Sequence, residues 1–218
     1  MRSFLTVILM SAGIVFCAFG QNGVLREMSG EVEIKAAGAS SFSAARIGDT
    51  IAQNTIVSTG FRGTAVIEVG SSLITVRPLT RLSLSEIQRS SNTENVNVNL
   101  QTGRVRVDVN PPAGTKTNLT VQSTVASASV RGTVFEFDTY NLNVNEGSVV
   151  FGGSSGPVVM VNPGNNTFVG NDGAPVNPVV VASSSLAPSS PVGAPPPETT
   201  TAAAVINYGD MSINLDYD

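Results

Sequence analysis

The feature that most restricts this chain is strict period-two alternation, repeated along its middle. Val96-Asn97-Val98-Asn99-Leu100 and Val105-Arg106-Val107-Asp108-Val109 place an apolar side chain at every second position. Shorter versions occur at Val32/Ile34, Ala65/Ile67/Val69, Leu82/Leu84, Leu119/Val121, Phe135/Phe137 and Leu142/Val144. Alternation sends successive side chains to opposite faces, the signature of a half-buried strand. Turn formers separate the runs at close spacing, among them Gly48-Asp49, Gly60, Gly63, Gly70-Ser71-Ser72, Gly103 and Pro111-Pro112. After the apolar opening, no segment sustains the i, i+3, i+4, i+7 spacing of an amphipathic helix. The chain is therefore predicted to be all-β, a single domain of many short strands over residues 24–182. A β-sandwich and a β-solenoid-like stack both satisfy the pattern.

Composition narrows the chemistry. Hydrophobic residues make up 41% and charged residues only 13%, so polarity comes from Ser, Thr and Asn. His is absent, which removes the usual general base and the commonest zinc ligand. The single Cys, Cys17, allows no internal disulfide and no thiolate cluster. Lys35 and Lys116 lie in no spaced nucleophile motif. We expect no enzyme, no cofactor and no metal. With pI ≈ 4.8, no basic stripe and no interleaved aromatics, nucleic acid is excluded as a partner.

The two ends read differently from the middle. Arg2, an uncharged run from Phe4 to Phe19 and the small-x-small site Ala18-Phe19-Gly20 form a signal peptide over residues 1–20. The bulky Phe16 before Cys17 argues against lipidation. A periplasmic or secreted protein follows, with no membrane span once the peptide is removed; the alternative is an uncleaved anchor, since the uncharged stretch extends to Leu25 and could just span a bilayer. From Gln21 to Arg131 the chain has 11 basic and 8 acidic residues, whereas Gly132 to Asp218 has 8 acidic and none basic. Residues 183–204, SSSLAPSSPVGAPPPETTTAAA, are too Pro-rich and too polar to offset their ordering entropy and read as a disordered linker. Residues 205–218 read as a C-terminal strand. In it Met211, Ile213, Leu215 and Tyr217 share one apolar face suited to pairing with a sheet edge, in the same chain or in a partner.

One internal similarity stands out. Arg62-Gly63-Thr64-Ala65-Val66-Ile67-Glu68-Val69 is close to Arg131-Gly132-Thr133-Val134-Phe135-Glu136-Phe137, and each follows a strand-like stretch. Two copies are too few for a repeat array but suit two similar corners of one β-fold.

The order of these pieces resembles the FecR domain family. The resemblance runs from about Gly30 to Phe151. It includes Gly48-Asp49-Thr50-Ile51, Ile56-Val57-Ser58-Thr59-Gly60, Thr64 to Val69, Gly70 to Leu84 and Leu100-Gln101-Thr102-Gly103-Arg104-Val105. Val121 to Phe137 is its most specific stretch, and Val144-Asn145-Glu146-Gly147-Ser148-Val149 closes it. The resemblance implies an extracytoplasmic all-β module. Its namesakes relay siderophore signals from an outer-membrane receptor to a sigma factor. Here an export signal stands where those regulators carry a cytoplasmic region, and nothing after Phe151 resembles their receptor-touching domain. The extracytoplasmic module is thus what carries over.

Within the motif, Gly60, Gly103, Arg131, Gly132, Thr133, Glu146 and Gly147 are the residues to watch. Arg131-Gly132-Thr133 suits a ligand carboxylate or phosphate, but a corner or bulge is the stronger reading, with Arg131 paired to an acid such as Glu146. Asn145-Glu146-Gly147 reads as a hairpin turn. Arg104 and Arg106 share one strand face, which suits either solvent or an acidic polymer such as wall polysaccharide. The sequence points to a non-catalytic extracytoplasmic binding or envelope-scaffold module, with an envelope protein or polysaccharide as partner. A signalling component of a FecR-type relay is the alternative.

Overall fold

In Thr64–Val69 the side chains of Ala65, Ile67 and Val69 are buried while Thr64, Val66 and Glu68 stay half-exposed. The same rule repeats through the computed structural model, which describes residues 22–178. Every named element among the described residues is a strand. Eight form one sheet: β1 (Gly23–Ser29), β4 (Thr50–Ile51), β6 (Thr64–Val69), β7 (Ser72–Val76), β10 (Arg104–Val109), β13 (Val134–Asp138), β14 (Asn141–Glu146) and β17 (Asn166–Phe168). Nine form the other: β2 (Val32–Lys35), β3 (Ser43–Ala44), β5 (Ile56–Thr59), β8 (Arg81–Ser90), β9 (Thr93–Thr102), β11 (Lys116–Gln122), β12 (Ala126–Val130), β15 (Val149–Gly153) and β16 (Val159–Val161).

The spatial orders are β17-β14-β13-β10-β7-β6-β1-β4 and β16-β15-β12-β11-β9-β8-β5-β2-β3. Apart from the swaps of β1 with β4 and β2 with β3, each sheet follows chain order. The chain alternates between the sheets as it advances, so the sandwich and solenoid expectations are both met in one two-sheet stack. Pairing is antiparallel except between β9 and β11, where Leu119 lies opposite Val96 in parallel register.

The inward faces make one core. Leu25, Ile67, Ile74, Val107, Phe135 and Leu142 come from one sheet; Val57, Leu84, Val98, Leu119, Val149 and Phe151 come from the other. Phe137 and Phe151 meet edge to face across the two sheets, with ring centroids 6.2 Å apart.

The two similar stretches become corners of the same kind. Gly60–Gly63 leads from β5 in the nine-stranded sheet to β6 in the eight-stranded one, and Arg131–Thr133 leads likewise from β12 to β13. Register places them at opposite ends of the strands. The first end also holds the turns at 77–80, at Gly103 and at 139–140; the second holds Gly70-Ser71 and Gly147-Ser148. Asn145-Glu146-Gly147 is not a hairpin turn. It joins β14 to β15, which lie in different sheets, so it is a crossing. The signal segment, the 183–204 linker and the 205–218 strand with Met211, Ile213, Leu215 and Tyr217 lie outside the described residues.

Candidate functional site

A network of threonines fixes the first end of the stack. Thr59 Oγ1 donates to the Arg77 carbonyl at 2.6 Å and accepts the Thr80 N–H at 3.0 Å. Thr80 Oγ1 in turn accepts the Arg104 N–H at 3.0 Å and lies 3.1 Å from the Arg104 carbonyl. Both threonines are buried, so these bonds satisfy polar groups where water does not reach. Gly103 packs against Thr80 with φ +92°, and a Cβ there would run into Thr80. Gly60 supports the same end, because its carbonyl accepts the N–H of Gly63 at 3.0 Å and of Leu79 at 3.2 Å. A Cβ on Gly60 would meet the Glu31 carboxylate at 2.7 Å.

Charged groups lie over this frame. β10 and β13 pair Arg106 with Glu136 and Arg104 with Asp138 in register. Arg104 lies 3.3 Å from Asp138, and Arg77 and Arg106 share Glu136 at 2.9 and 3.8 Å. The sequence reading placed Arg104 and Arg106 correctly on one face but did not anticipate that each meets an acid. Burial pushes the Asp138 carboxyl up, but the backbone N–H groups of Tyr140 and Asn141, the Asn141 amide and Arg104 outweigh it, and the net shift is downward. Three guanidinium groups against two carboxylates leave one positive charge in surplus.

Apolar side chains stand beside these charges. Leu79 has φ +56°, a conformation costly for a bulky residue, and the residue is nonetheless 58% exposed. Phe61 follows Gly60, and Tyr140 caps the β13–β14 turn; both are exposed. Leu79 and Tyr140 line one groove of about 590 Å³ with Arg77, Gly103, Arg104 and Asp138. A neighbouring groove of about 280 Å³ runs from Arg104 and Glu136 to Phe168. Leu79, Tyr140, Glu136 and Asp138 were not singled out in the sequence. A Pro-Leu-Thr turn carries no sign of a left-handed Leu.

The other motif residues gather at the opposite end. Gly132 and Gly147 hold φ of +72° and +74°, and Thr133 Oγ1 donates to the Ser148 carbonyl at 3.2 Å. Just past this corner the β13–β14 register shifts between Val134 and Phe135, so the expected bulge is present. Arg131 is not paired with Glu146. Its Nε donates to Asn118 Oδ1 at 3.0 Å, because the side chain lies over the outer face of β11, whereas Glu146 belongs to β14 of the other sheet. A groove of about 650 Å³ lies here, lined by Asn118, Thr120, Ser129, Arg131 and the Gly132 and Gly147 backbone. Among the described residues no three His, Cys, Asp or Glu side chains form a group that could hold a metal, and no helix is long and apolar enough to cross a membrane.

These features define an all-β two-sheet module with glycine corners and grooves at its strand ends. Residues 55–150 match the family model described as FecR protein, the stretch whose motifs resemble that family. Two crystal structures of a proposed anti-sigma factor from Parabacteroides distasonis ATCC 8503, at 1.65 and 2.50 Å resolution, are similar to this chain. Each aligns with 16% identity and a TM-score of 0.44, covering 56% of this chain and 59% of that one. The alignment thus spans less than two thirds of either. No curated protein matches the sequence.

Proposed function

We propose that this protein is a non-catalytic binding module of the bacterial envelope, exported by its N-terminal segment, which holds a protein partner on the end bearing Phe61, Leu79 and Tyr140. Leu79 carries the reading. A residue that pays backbone strain and buries little contributes nothing to the fold that Gly or Asn would not, so its side chain serves a contact outside the fold. Tyr, Phe and Arg side by side are the composition of interface centres, and the surplus positive charge favours a partner with an acidic group beside its apolar residues. A photo-crosslinking phenylalanine analogue at Tyr140, introduced in cells, should give one discrete adduct, while the same analogue at Lys116 on the opposite end gives none. Equal labelling from both positions, or none from Tyr140, overturns the reading.

The FecR match over residues 55–150 favours a second reading, in which the partner contact belongs to a regulatory relay. Deleting the gene and measuring transcripts separates the two. A discrete set of altered transcripts supports the relay, and an unchanged profile with the adduct intact supports a scaffold.

A further inference from the structure

The groove at Arg131 lies on the outer face of the nine-stranded sheet, whose composition differs from that of the other sheet. Here the outward positions are Thr93, Asn95, Asn97, Asn99 and Gln101 on β9, Lys116, Asn118, Thr120 and Gln122 on β11, and Ser127 and Ser129 on β12. Asn is a poor strand former, and three in a row on one face of β9 bring no packing gain. They are also held in place. Asn118 Nδ2 donates to Asn95 Oδ1 at 2.8 Å, and Thr120 and Ser129 share a hydrogen bond at 3.0 Å. The result is a registered array of mostly neutral donors and acceptors, bordered by Lys116 at the start of β11 and by the Glu86 carboxylate of β8, which accepts from Asn97, with strands about 4.8 Å apart.

Arg131 adds a charge at one end of this array. Arg26, Arg77, Arg89, Arg104 and Arg106 each have a carboxylate within ion-pair distance. Arg131, like Arg46, Arg62 and Arg81, has none among the described residues, and Glu146, the acid expected to pair with it, is not within that distance. Its Nε is tied to Asn118, which orients the guanidinium plane and leaves the two terminal nitrogens free to fork onto an oxyanion. Beside it the exposed side chain of Val150 and the Cβ-free corner at Gly132 keep the groove open.

We infer that this groove binds a carboxylate-bearing glycan. Arg131 takes the carboxylate, Asn118, Thr120 and Ser129 take ring hydroxyls, and Val150 meets the apolar face of a sugar ring. An acidic peptide fits less well, because the groove offers short hydroxyls and amides rather than pockets for peptide side chains. The proposal concerns the opposite end from the partner surface proposed above, so either can fail without the other.

Calorimetry on the full-length protein tests it with three probes: hexagalacturonate, its methyl ester and hexaglutamate. Hexagalacturonate is expected to bind, with the ester weaker by about tenfold or more, the usual cost of losing a charge-assisted fork, and hexaglutamate weaker by a similar factor because it keeps the carboxylates but has no ring hydroxyls for Asn118, Thr120 and Ser129. Arg131→Gln and Ser129→Asp, both at exposed positions, should weaken hexagalacturonate by a similar factor with unchanged melting temperature, and Arg104→Gln should not. No binding of hexagalacturonate overturns the inference. So does equal binding of the ester or hexaglutamate, or wild-type affinity in Arg131→Gln.

Discussion

The carboxylate of Glu94 occupies the space that a side chain at Gly70 would need, and Gly70 itself holds φ at +56°. Glu94 is almost fully buried near the tip of the β8–β9 hairpin, yet three donors surround it. They are the Ser71 N–H and hydroxyl, both at 3.1 Å, and Arg89 at 3.4 Å. A residue of one sheet thereby pins the turn of the other. Gly70→Ala should cost about 3 kcal/mol, combining backbone strain with displacement of a buried paired charge. Urea denaturation measures it, and a loss below about 1 kcal/mol would show that the carboxylate moves aside freely.

The two motif glycines at the far corner separate strain from space. At Gly132 a Cβ would meet nothing nearer than Pro111 Cδ at 3.5 Å, so Gly132→Ala pays only for its positive φ, about 1 kcal/mol. At Gly147 a Cβ would lie 2.8 Å from the Gly132 carbonyl and from Thr133 Oγ1. Gly147→Ala should therefore cost about 1 kcal/mol more than Gly132→Ala, as judged from paired melting curves. The reverse order would contradict the packing at this corner.

The hydroxyl of Thr59 is the centre of the threonine network. Thr59→Val keeps the shape but leaves the Thr80 N–H without its side-chain acceptor, at a cost of about 1–3 kcal/mol. Thr59→Ser retains the hydroxyl and should recover most of it. Equal losses in both variants would assign the effect to the methyl group instead.

Asp138 gives the domain an acid-side dependence. Its carboxyl titrates lower in the folded state than in the unfolded chain, so it contributes stability above the unfolded value near pH 4. That contribution is lost as pH falls through the folded value. Asp138→Asn should be less stable than wild type at neutral pH, and the two should converge as the pH drops from about 4. A constant gap down to pH 2 would remove Asp138 as the source.

Leu79 sets stability against contact. Leu79→Asn relieves the left-handed strain and sacrifices a side chain that is mostly exposed, so it should be neutral or stabilising by about 0.5–1 kcal/mol. The same variant should lose the Tyr140 crosslink. A destabilised Leu79→Asn would return the residue to a structural role.

Alternation made the strands legible because each has one wet face and one dry one. In Arg104–Val109 the buried residues are Val105, Val107 and Val109, as the pattern requires. Long-range placement was not legible. Glu94 sits at an apparently inward position of β9, and only the turn of another sheet explains its burial. Arg131 was expected to seek an acid by charge, but the sheet that its corner leaves sets its neighbour, and that neighbour is Asn118. Leu79 was hidden for the opposite reason, since the strain lies in a dihedral that residue type does not report.

Chain order in the sheets bears on how the fold is reached. Among the described strands no pairing joins residues further apart than Val24 and Glu68, 44 positions along the chain. Most all-β topologies must wait for distant partners, which slows them and exposes unpaired edges. Here a chain delivered N-terminus first, whether from a ribosome or through a translocation pore, can close each rung before the next emerges. Assembly is then directional, with only the newest strands unpaired at any moment.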